Sequence, residues 1–75
     1  MLKHLEISDP QSCLNKAKVN EPVFVLRAHD KCAVSTILAW INFRIETGKS
    51  AMSSPEIKEA YEWCNLADRW REQEA

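Results

Sequence analysis

Residues 21–30 read Glu-Pro-Val-Phe-Val-Leu-Arg-Ala-His-Asp. They contain the only run of four consecutive bulky apolar residues in the chain, from Val23 to Leu26, with polar residues on both sides. We expect this run to form the centre of the core. Pro22 suits the first turn of a helix, whereas the valines and the phenylalanine favour a strand. We predict a short buried helix over 22–28, with a small antiparallel hairpin between 2–7 and 22–28 as the alternative.

Two short segments precede this stretch. Apolar and polar residues alternate loosely over residues 1–8, which predicts a short strand or a flexible, extended arm. Asp9 and Pro10 then form a helix start signal, because Asp9 can accept from the free N–H groups of the first turn and Pro10 lacks an N–H that would need a partner. We expect one short helix from Pro10 to about Ala17.

A longer helix follows the stretch. Asp30 is a short side-chain acceptor directly before an apolar-periodic run, and Gly48 ends that run. We predict a helix over 31–46. Its main apolar stripe is accompanied by a second strip on the far side that includes Phe43, with Trp40 at the edge. A helix that is apolar on nearly all sides is usually covered on more than one side.

A last helix is predicted over 55–71. Ser54 stands at the cap position, Pro55 at the first helical position and Glu56 in the first turn, where the helix dipole favours negative charge. Its core face is formed by Ile57, Ala60, Tyr61, Cys64 and Ala67. The sequence therefore predicts an all-α single domain over 1–75. It is a small bundle of two longer helices plus one or two short N-terminal helices.

Composition narrows the classes of partner and compartment. The 75 residues carry a formal net charge of −1, which gives no electrostatic reason to expect a nucleic-acid or membrane partner. Three cysteines leave at least one thiol unpaired, so no disulfide framework is expected. The N-terminal residues lack the continuous apolar region of a signal peptide, and no apolar run is long enough to span a membrane. We expect a cytoplasmic protein.

No residue set reaches the specificity of a catalytic or metal signature. Thr47-Gly48-Lys49-Ser50 ends like a phosphate-binding loop, but Phe43 stands where that motif needs a glycine. His29 and Cys32 have one half-site spacing for zinc, and a structural zinc site shows two such pairs. We predict no catalytic residue, no bound metal and no cofactor, and hence no enzyme.

The tryptophans give the strongest functional signal. Three tryptophans in 75 residues is a high density, and Trp63, Leu66 and Trp70 lie on a face that the core stripe of their helix does not use. A wide core stripe is one explanation, and an exposed interaction patch is the other. We predict that these three residues, together with Trp40 and Phe43, form interfaces for self-association or for a partner protein.

Basic residues suggest a second kind of site. Lys16, Arg27 and Lys31 cluster in sequence around two helix starts, whose free N–H groups bind anions readily. With Asn15 they form a candidate anion or nucleotide site, and a solvated basic rim is the alternative. Arg27 stands out because it follows the apolar run, which leaves three environments open for it: a pocket, a carboxylate in the core, or solvent.

One resemblance is evident. Ser12-Cys13-Leu14-Asn15-Lys16-Ala17, followed by residues 21–30 and a helix carrying Trp40, resembles a group of small phage-encoded and prophage-encoded accessory proteins, mostly of unknown function. The similarity covers residues 8–45, with a weaker match from Ala67 to Trp70. It implies a phage accessory gene expressed in a bacterial cytoplasm and transfers no catalytic residue. Small phage proteins often bind stoichiometrically, either blocking a host protein or sequestering a nucleotide signal.

The sequence thus predicts a non-enzymatic phage-type protein that self-associates and antagonises a host or anti-phage defence factor by protein binding. An oligomeric sponge that sequesters an anionic nucleotide is the first alternative, with Trp40 stacking on the base. A minor structural or assembly protein is the second.

Overall fold

The computed structural model describes residues 2–74, and this part of the chain is all-α. It contains four helices: α1 (Lys3–Ser8), α2 (Cys13–Lys16), α3 (Ala33–Glu46) and α4 (Pro55–Glu74). No strand occurs in the described residues, which confirms the all-α prediction and shows that the alternative hairpin is wrong. Helix α3 packs on α4, and α1 packs on α2.

Asp30 organises the start of α3, although the helix begins two residues later than predicted. Its Oδ1 accepts a hydrogen bond from the Cys32 N–H at 2.8 Å, and its carbonyl oxygen accepts from the Ala33 N–H at 3.1 Å. These bonds close a turn before the helix, so α3 begins at Ala33 and not at 31. A short acidic side chain that bonds the backbone two residues ahead is an Asx turn, a common lead-in to a helix.

Gly48 ends α3, as predicted. It has φ 73°, a left-handed conformation that costs a residue with a Cβ but not glycine. The Gly48 N–H donates to the Ile45 carbonyl at 3.1 Å, and the Lys49 N–H donates to the Arg44 carbonyl at 2.9 Å. This pair of bonds is the Schellman motif, which satisfies the last carbonyls of a helix.

Helix α4 begins at Pro55 as predicted but continues to Glu74, beyond the predicted end at 71. The carbonyl of Ser54 accepts from the N–H groups of Ile57 and Lys58, both at 3.1 Å. The Ser54 hydroxyl accepts from the Ala51 N–H at 2.8 Å and so fixes the loop that joins α3 to α4.

The core lies between α3 and α4 and is small. Its buried apolar residues are Ala33, Ile41, Ile57, Cys64 and Ala67. Among residues 2–74, Ile41 and Ile57 are the only large side chains that are fully buried. Burial of an isoleucine contributes about 1.5–3 kcal/mol, so these two residues carry much of the stability of the helix pair.

Ser12, not Asp9, caps the second helix. The Asn15 N–H donates to Ser12 Oγ at 3.1 Å, and Ser12 Oγ donates to the Glu6 carbonyl at 2.7 Å. Asp9 Oδ1 instead accepts from the Gln11 N–H at 2.9 Å in the preceding turn. The predicted helix from Pro10 to Ala17 is therefore too long, because the chain still turns at Pro10 and becomes helical only at Cys13.

The first residues also differ from the prediction of a strand or an extended arm. Residues 3–8 form α1, and its end is held by Asn15, whose Nδ2 donates to the carbonyls of Ile7 at 2.9 Å and Asp9 at 2.8 Å. Free carbonyls at a helix end need such partners. The alternating pattern was misleading because so short a segment takes its conformation from the groups that bind it.

The apolar run of residues 22–28 is not a buried helix, and this is the main error of the sequence prediction. The segment contains neither helix nor strand. Val23, Phe24 and Val25 are 55%, 87% and 71% exposed, while Leu26 is half-buried. Proline followed by β-branched and aromatic residues has low helix propensity, and no described strand offers it a neighbour.

The chain is more open than a typical protein of its size. Its radius of gyration is 13.3 Å, whereas a compact domain of this length has a value of about 11 Å. Its accessible surface is 6226 Å², whereas a folded monomer of this mass exposes about 4,700 Å². None of the described helices combines the length and the apolar character that a membrane span requires.

Candidate interaction surface

Helix α4 carries an apolar face beside its core face. Trp63 and Leu66 are three residues apart and Trp63 and Trp70 are seven apart, so all three share one side of the helix. Trp63 is half-buried, and Leu66 and Trp70 are 40% and 41% exposed. The predicted interface residues of α4 therefore remain accessible in the single chain.

Helix α3 carries two further exposed aromatic residues. Trp40 is 41% exposed and Phe43 is 67% exposed, and their spacing of three residues places them side by side. The guanidinium carbon of Arg44 lies 5.3 Å from the centroid of the Trp40 ring, within the range of a cation–π interaction. Arg44 thus covers part of one face of Trp40 and leaves Phe43 open.

A polar clasp formed by Arg44, Ser50 and Glu56 joins the two helices at their connected ends. Arg44 Nε donates to Ser50 Oγ at 2.8 Å, and Ser50 Oγ donates to Glu56 Oε1 at 2.8 Å. Arg44 Nη2 lies 3.9 Å from Glu56 Oε1. The pKa of Glu56 is lowered mainly by its own backbone N–H, then by the Ser50 hydroxyl and least by the charge of Arg44, while desolvation opposes these effects.

This clasp orients the two aromatic faces relative to each other. Arg44 contacts Trp40 on one side of α3, and Glu56 lies seven residues before Trp63 on one side of α4. Because Arg44 and Glu56 contact each other, those two sides meet where α3 and α4 are connected. We call the partly exposed large apolar residues of the two helices the aromatic edge and define it by Trp40, Phe43, Trp63, Leu66 and Trp70.

The most exposed apolar residues lie elsewhere, in and shortly before the segment that was predicted to be the core. Val19 is fully exposed, and Phe24 is the most exposed aromatic side chain among the large apolar residues. The prediction missed this surface because it took hydrophobicity as a sign of burial. Three sequence features indicated that this segment is not a buried helix or a paired strand. They are Pro22, the high β-propensity of the residues after it, and the lack of a second strong strand.

Of the four candidate anion-binding residues, only Arg27 lines the surface depression beside Val25 and His29. Arg27 is exposed and lines a shallow, open depression with Val25, His29 and Asp30. Neither Lys16 nor Lys31 is part of that lining. Arg27 therefore points to the surface and not inward, and Asp30 places a carboxylate in the same depression.

Asn15 has a structural role in the fold. Both hydrogens of its side-chain amide are used, one for the carbonyl of Ile7 and one for that of Asp9. Only its side-chain oxygen remains for a ligand. The backbone N–H of Asn15, which a helix start would offer to an anion, already donates to Ser12 Oγ.

The thiols and imidazoles do not gather. Cys13 and Cys32 are exposed, whereas Cys64 is buried between α3 and α4. Burial raises the pKa of the Cys64 thiol, and the nearby charge of Asp68 raises it further. Within residues 2–74, no three His, Cys, Asp or Glu side chains come close enough to hold a metal ion.

Comparison with known proteins assigns no family to the chain. No protein-family model, no curated protein and no solved structure matches the chain.

Proposed function

We propose that this chain is a non-enzymatic binding protein that self-associates and inhibits a bacterial host or anti-phage defence factor by stoichiometric contact. The observation that carries this proposal is the aromatic edge, which leaves five large apolar side chains partly or largely accessible on a chain with a very small core. The resemblance to small phage accessory proteins supports the choice of a host factor in the bacterial cytoplasm as the target.

The chemistry of the edge fits a protein partner. Tryptophan is among the residues most enriched at binding hot spots, because it buries a large area at low entropic cost. Glu59 lies four residues before Trp63, on the same side of α4. Residues 53–75 carry three basic and six acidic side chains. A partner with an apolar pocket and a basic rim would therefore complement this surface.

The excess of exposed surface supports a binding role. A partner in a standard interface covers about 800 Å² of each chain. The accessible surface of this chain is about 1,500 Å² larger than that of a compact monomer of equal mass. This excess is larger than the area that a standard interface covers on one chain. Contacts with other molecules can thus bury what the small core leaves open.

The test is capture of the factor followed by reconstitution. Tagged chain is expressed in bacteria, the co-purifying protein is identified, and its affinity for the purified chain is measured by calorimetry. We expect one partner per chain and a loss of affinity of about 30-fold or more for Trp70→Ala. Tyr61→Ala is the matched control, because Tyr61 is 37% exposed on the opposite side of α4. Equal affinity of the two variants would refute the role of the aromatic edge.

A second candidate function, nucleotide sequestration, rests on Arg27 and His29, which line one open depression. Two observations count against binding of an anionic nucleotide: Asp30 places a negative charge in that depression, and the side-chain amide of Asn15 already donates two hydrogen bonds. A thermal-shift screen with cyclic and linear nucleotides decides the question. At a hundredfold excess over its dissociation constant, a bound nucleotide stabilises the chain by about 2.7 kcal/mol. No shift with any nucleotide would eliminate this candidate.

A further inference from the structure

Residues 21–27 have the properties of a β-strand without a neighbour. The chain passes through them without a helix, a turn or a bend. No backbone hydrogen bond joins Val23, Phe24 or Val25 to any other residue that the structure describes. The side chains of these three residues are β-branched or aromatic, and all three are more than half exposed. Such an unpaired edge is a template for pairing with another chain.

We propose that residues 21–27 pair in antiparallel orientation with the same segment of a second copy of this chain, about a two-fold axis beside Phe24. In this register Phe24 faces Phe24 of the partner subunit, Val23 faces Val25, and Glu21 faces Arg27. Two-fold symmetry makes an antiparallel pair of identical strands self-complementary, so one set of contacts occurs twice.

Pro22 determines which facing pairs carry hydrogen bonds. Facing residues alternate between pairs that exchange two N–H···O=C bonds and pairs that exchange none. Pro22 has no N–H, so Pro22 and the facing Leu26 form a pair without hydrogen bonds. The type of pair repeats every two residues, so the two facing Phe24 residues also form a pair without hydrogen bonds. Side chains are closest in such pairs, with Cα atoms about 4.5 Å apart. The two Phe24 rings therefore contact each other directly.

The charges select this register over its neighbours. Glu21 and Arg27 are both exposed, and in the single chain Arg27 makes no ion pair with a described carboxylate. In the proposed register each Glu21 faces an Arg27, which gives two ion pairs at the ends of the ribbon. A shift by two residues in either direction places Val25 or His29 opposite Glu21 and breaks both pairs. Opposite charges across a strand pair stabilise it.

The depression beside the segment accommodates the partner strand. Val25 and Arg27 line it and lie on the same side of the strand, since side chains two residues apart share a face. The facing residues, the partner's Val23 and the partner's Glu21, enter this depression. The inference rests on the self-association in the proposed function, but it uses a surface different from the aromatic edge that is proposed for the host factor.

Disulfide trapping tests the register in the full-length chain. Cys13→Ser and Cys32→Ser remove the two exposed thiols, and Phe24→Cys or Val23→Cys is added to this background. With diamide as oxidant, we expect Phe24→Cys to give a covalent dimer, because Cα atoms about 4.5 Å apart lie within the range of a disulfide. Val23→Cys should stay monomeric on a non-reducing gel, because the two copies of residue 23 lie more than about 7 Å apart. Equal cross-linking of both variants, or none with Phe24→Cys, overturns the proposal.

Charge exchange provides an independent test by sedimentation equilibrium. Glu21→Arg and Arg27→Glu should each weaken the dimer by about tenfold or more, and the double variant should restore it. Failure of the double variant to restore the dimer overturns the register. Trp70→Ala should leave the dimer intact and weaken host-factor binding by about 30-fold or more. If Trp70→Ala dissociates the dimer and Phe24→Glu does not, self-association stands but the strand pairing is refuted.

Discussion

Arg44 Nη2 and Glu56 Oε1 lie 3.9 Å apart where α3 and α4 are connected, and Ser50 bridges them with two hydrogen bonds of 2.8 Å. This clasp joins the two helices at their connected ends, and the buried side chains of Ile41 and Ile57 contribute to the core of the helix pair. The side chains of both charged residues are partly exposed, at 34% and 45%. Exposed ion pairs contribute little, so the Ser50 hydroxyl is the central member of the clasp.

Ser50→Ala should therefore destabilise the helix pair more than loss of either charge. The hydroxyl both accepts from Arg44 and donates to Glu56, and a hydrogen bond to a charged group contributes about 1.5–3 kcal/mol. Partial exposure reduces this value, so we expect a loss of about 1 kcal/mol in urea unfolding. Ser53→Ala, in the same loop, is the control. An equal effect of both substitutions would contradict the clasp.

The lowered pKa of Glu56 predicts the pH dependence of the clasp. A carboxyl group with a lowered folded-state pKa contributes stability that is fully present above its unfolded value, here the reference 4.5, and is lost as the pH falls through the folded value. The difference in stability between wild type and Glu56→Gln should thus be larger at neutral pH and vanish in acid. Urea titrations at several pH values measure it. A constant difference would show that the carboxylate makes no special contact.

Gly48→Ala should destabilise the chain through backbone conformation alone. No atom lies within 4 Å of the position that a Cβ would take, so no clash is created. The left-handed φ of 73° nevertheless costs an alanine about 1–2 kcal/mol. We expect this loss in thermal or urea unfolding, with Lys49→Ala as the neighbouring control. An unchanged midpoint would mean that the end of α3 rearranges at no cost.

Truncation of two residues of α3 that are two positions apart should change the stability by very different amounts. Ile41→Ala removes a fully buried side chain and should cost about 2–5 kcal/mol, enough to unfold so small a domain. Phe43→Ala removes a side chain that is 67% exposed and should change stability by less than about 0.5 kcal/mol. Far-ultraviolet circular dichroism during denaturation separates the two. If Phe43→Ala is equally damaging, Phe43 is covered in solution.

Asn15→Ala and Lys16→Ala separate a structural role from ligand binding. The Asn15 amide donates two hydrogen bonds to carbonyls at the end of α1, so its loss should increase hydrogen exchange across residues 3–9. The Lys16 side chain is exposed and holds no part of α1, so Lys16→Ala should leave exchange unchanged. Equal protection in both variants would contradict the role of Asn15.

Local signals made α3 and α4 predictable from sequence. Gly48 and Pro55 act through their own backbone properties, and the apolar periodicity before Gly48 and after Pro55 continues over several turns. These features need no knowledge of the rest of the chain. The face of α4 that bears Trp63 and Trp70 was predictable for the same reason, since helical spacing alone separates it from the core face.

The N-terminal half was not predictable in the same way. Helix α1 depends on bonds from Ser12 and Asn15, six to eight residues away, which periodicity does not detect. Residues 22–28 have a composition suited to burial, but nothing within the described chain covers Val23, Phe24 and Val25. Hydrophobicity specifies that a surface favours burial, and it does not specify which molecule buries it.

Sedimentation equilibrium of the wild-type chain, combined with urea unfolding at two protein concentrations, tests the central claim that the chain is completed by other molecules. We predict a mass above the 8.6 kDa of one chain, and an unfolding midpoint that rises with concentration, because dissociation accompanies unfolding. A mass of 8.6 kDa at about 100 μM, with a midpoint independent of concentration, would contradict it.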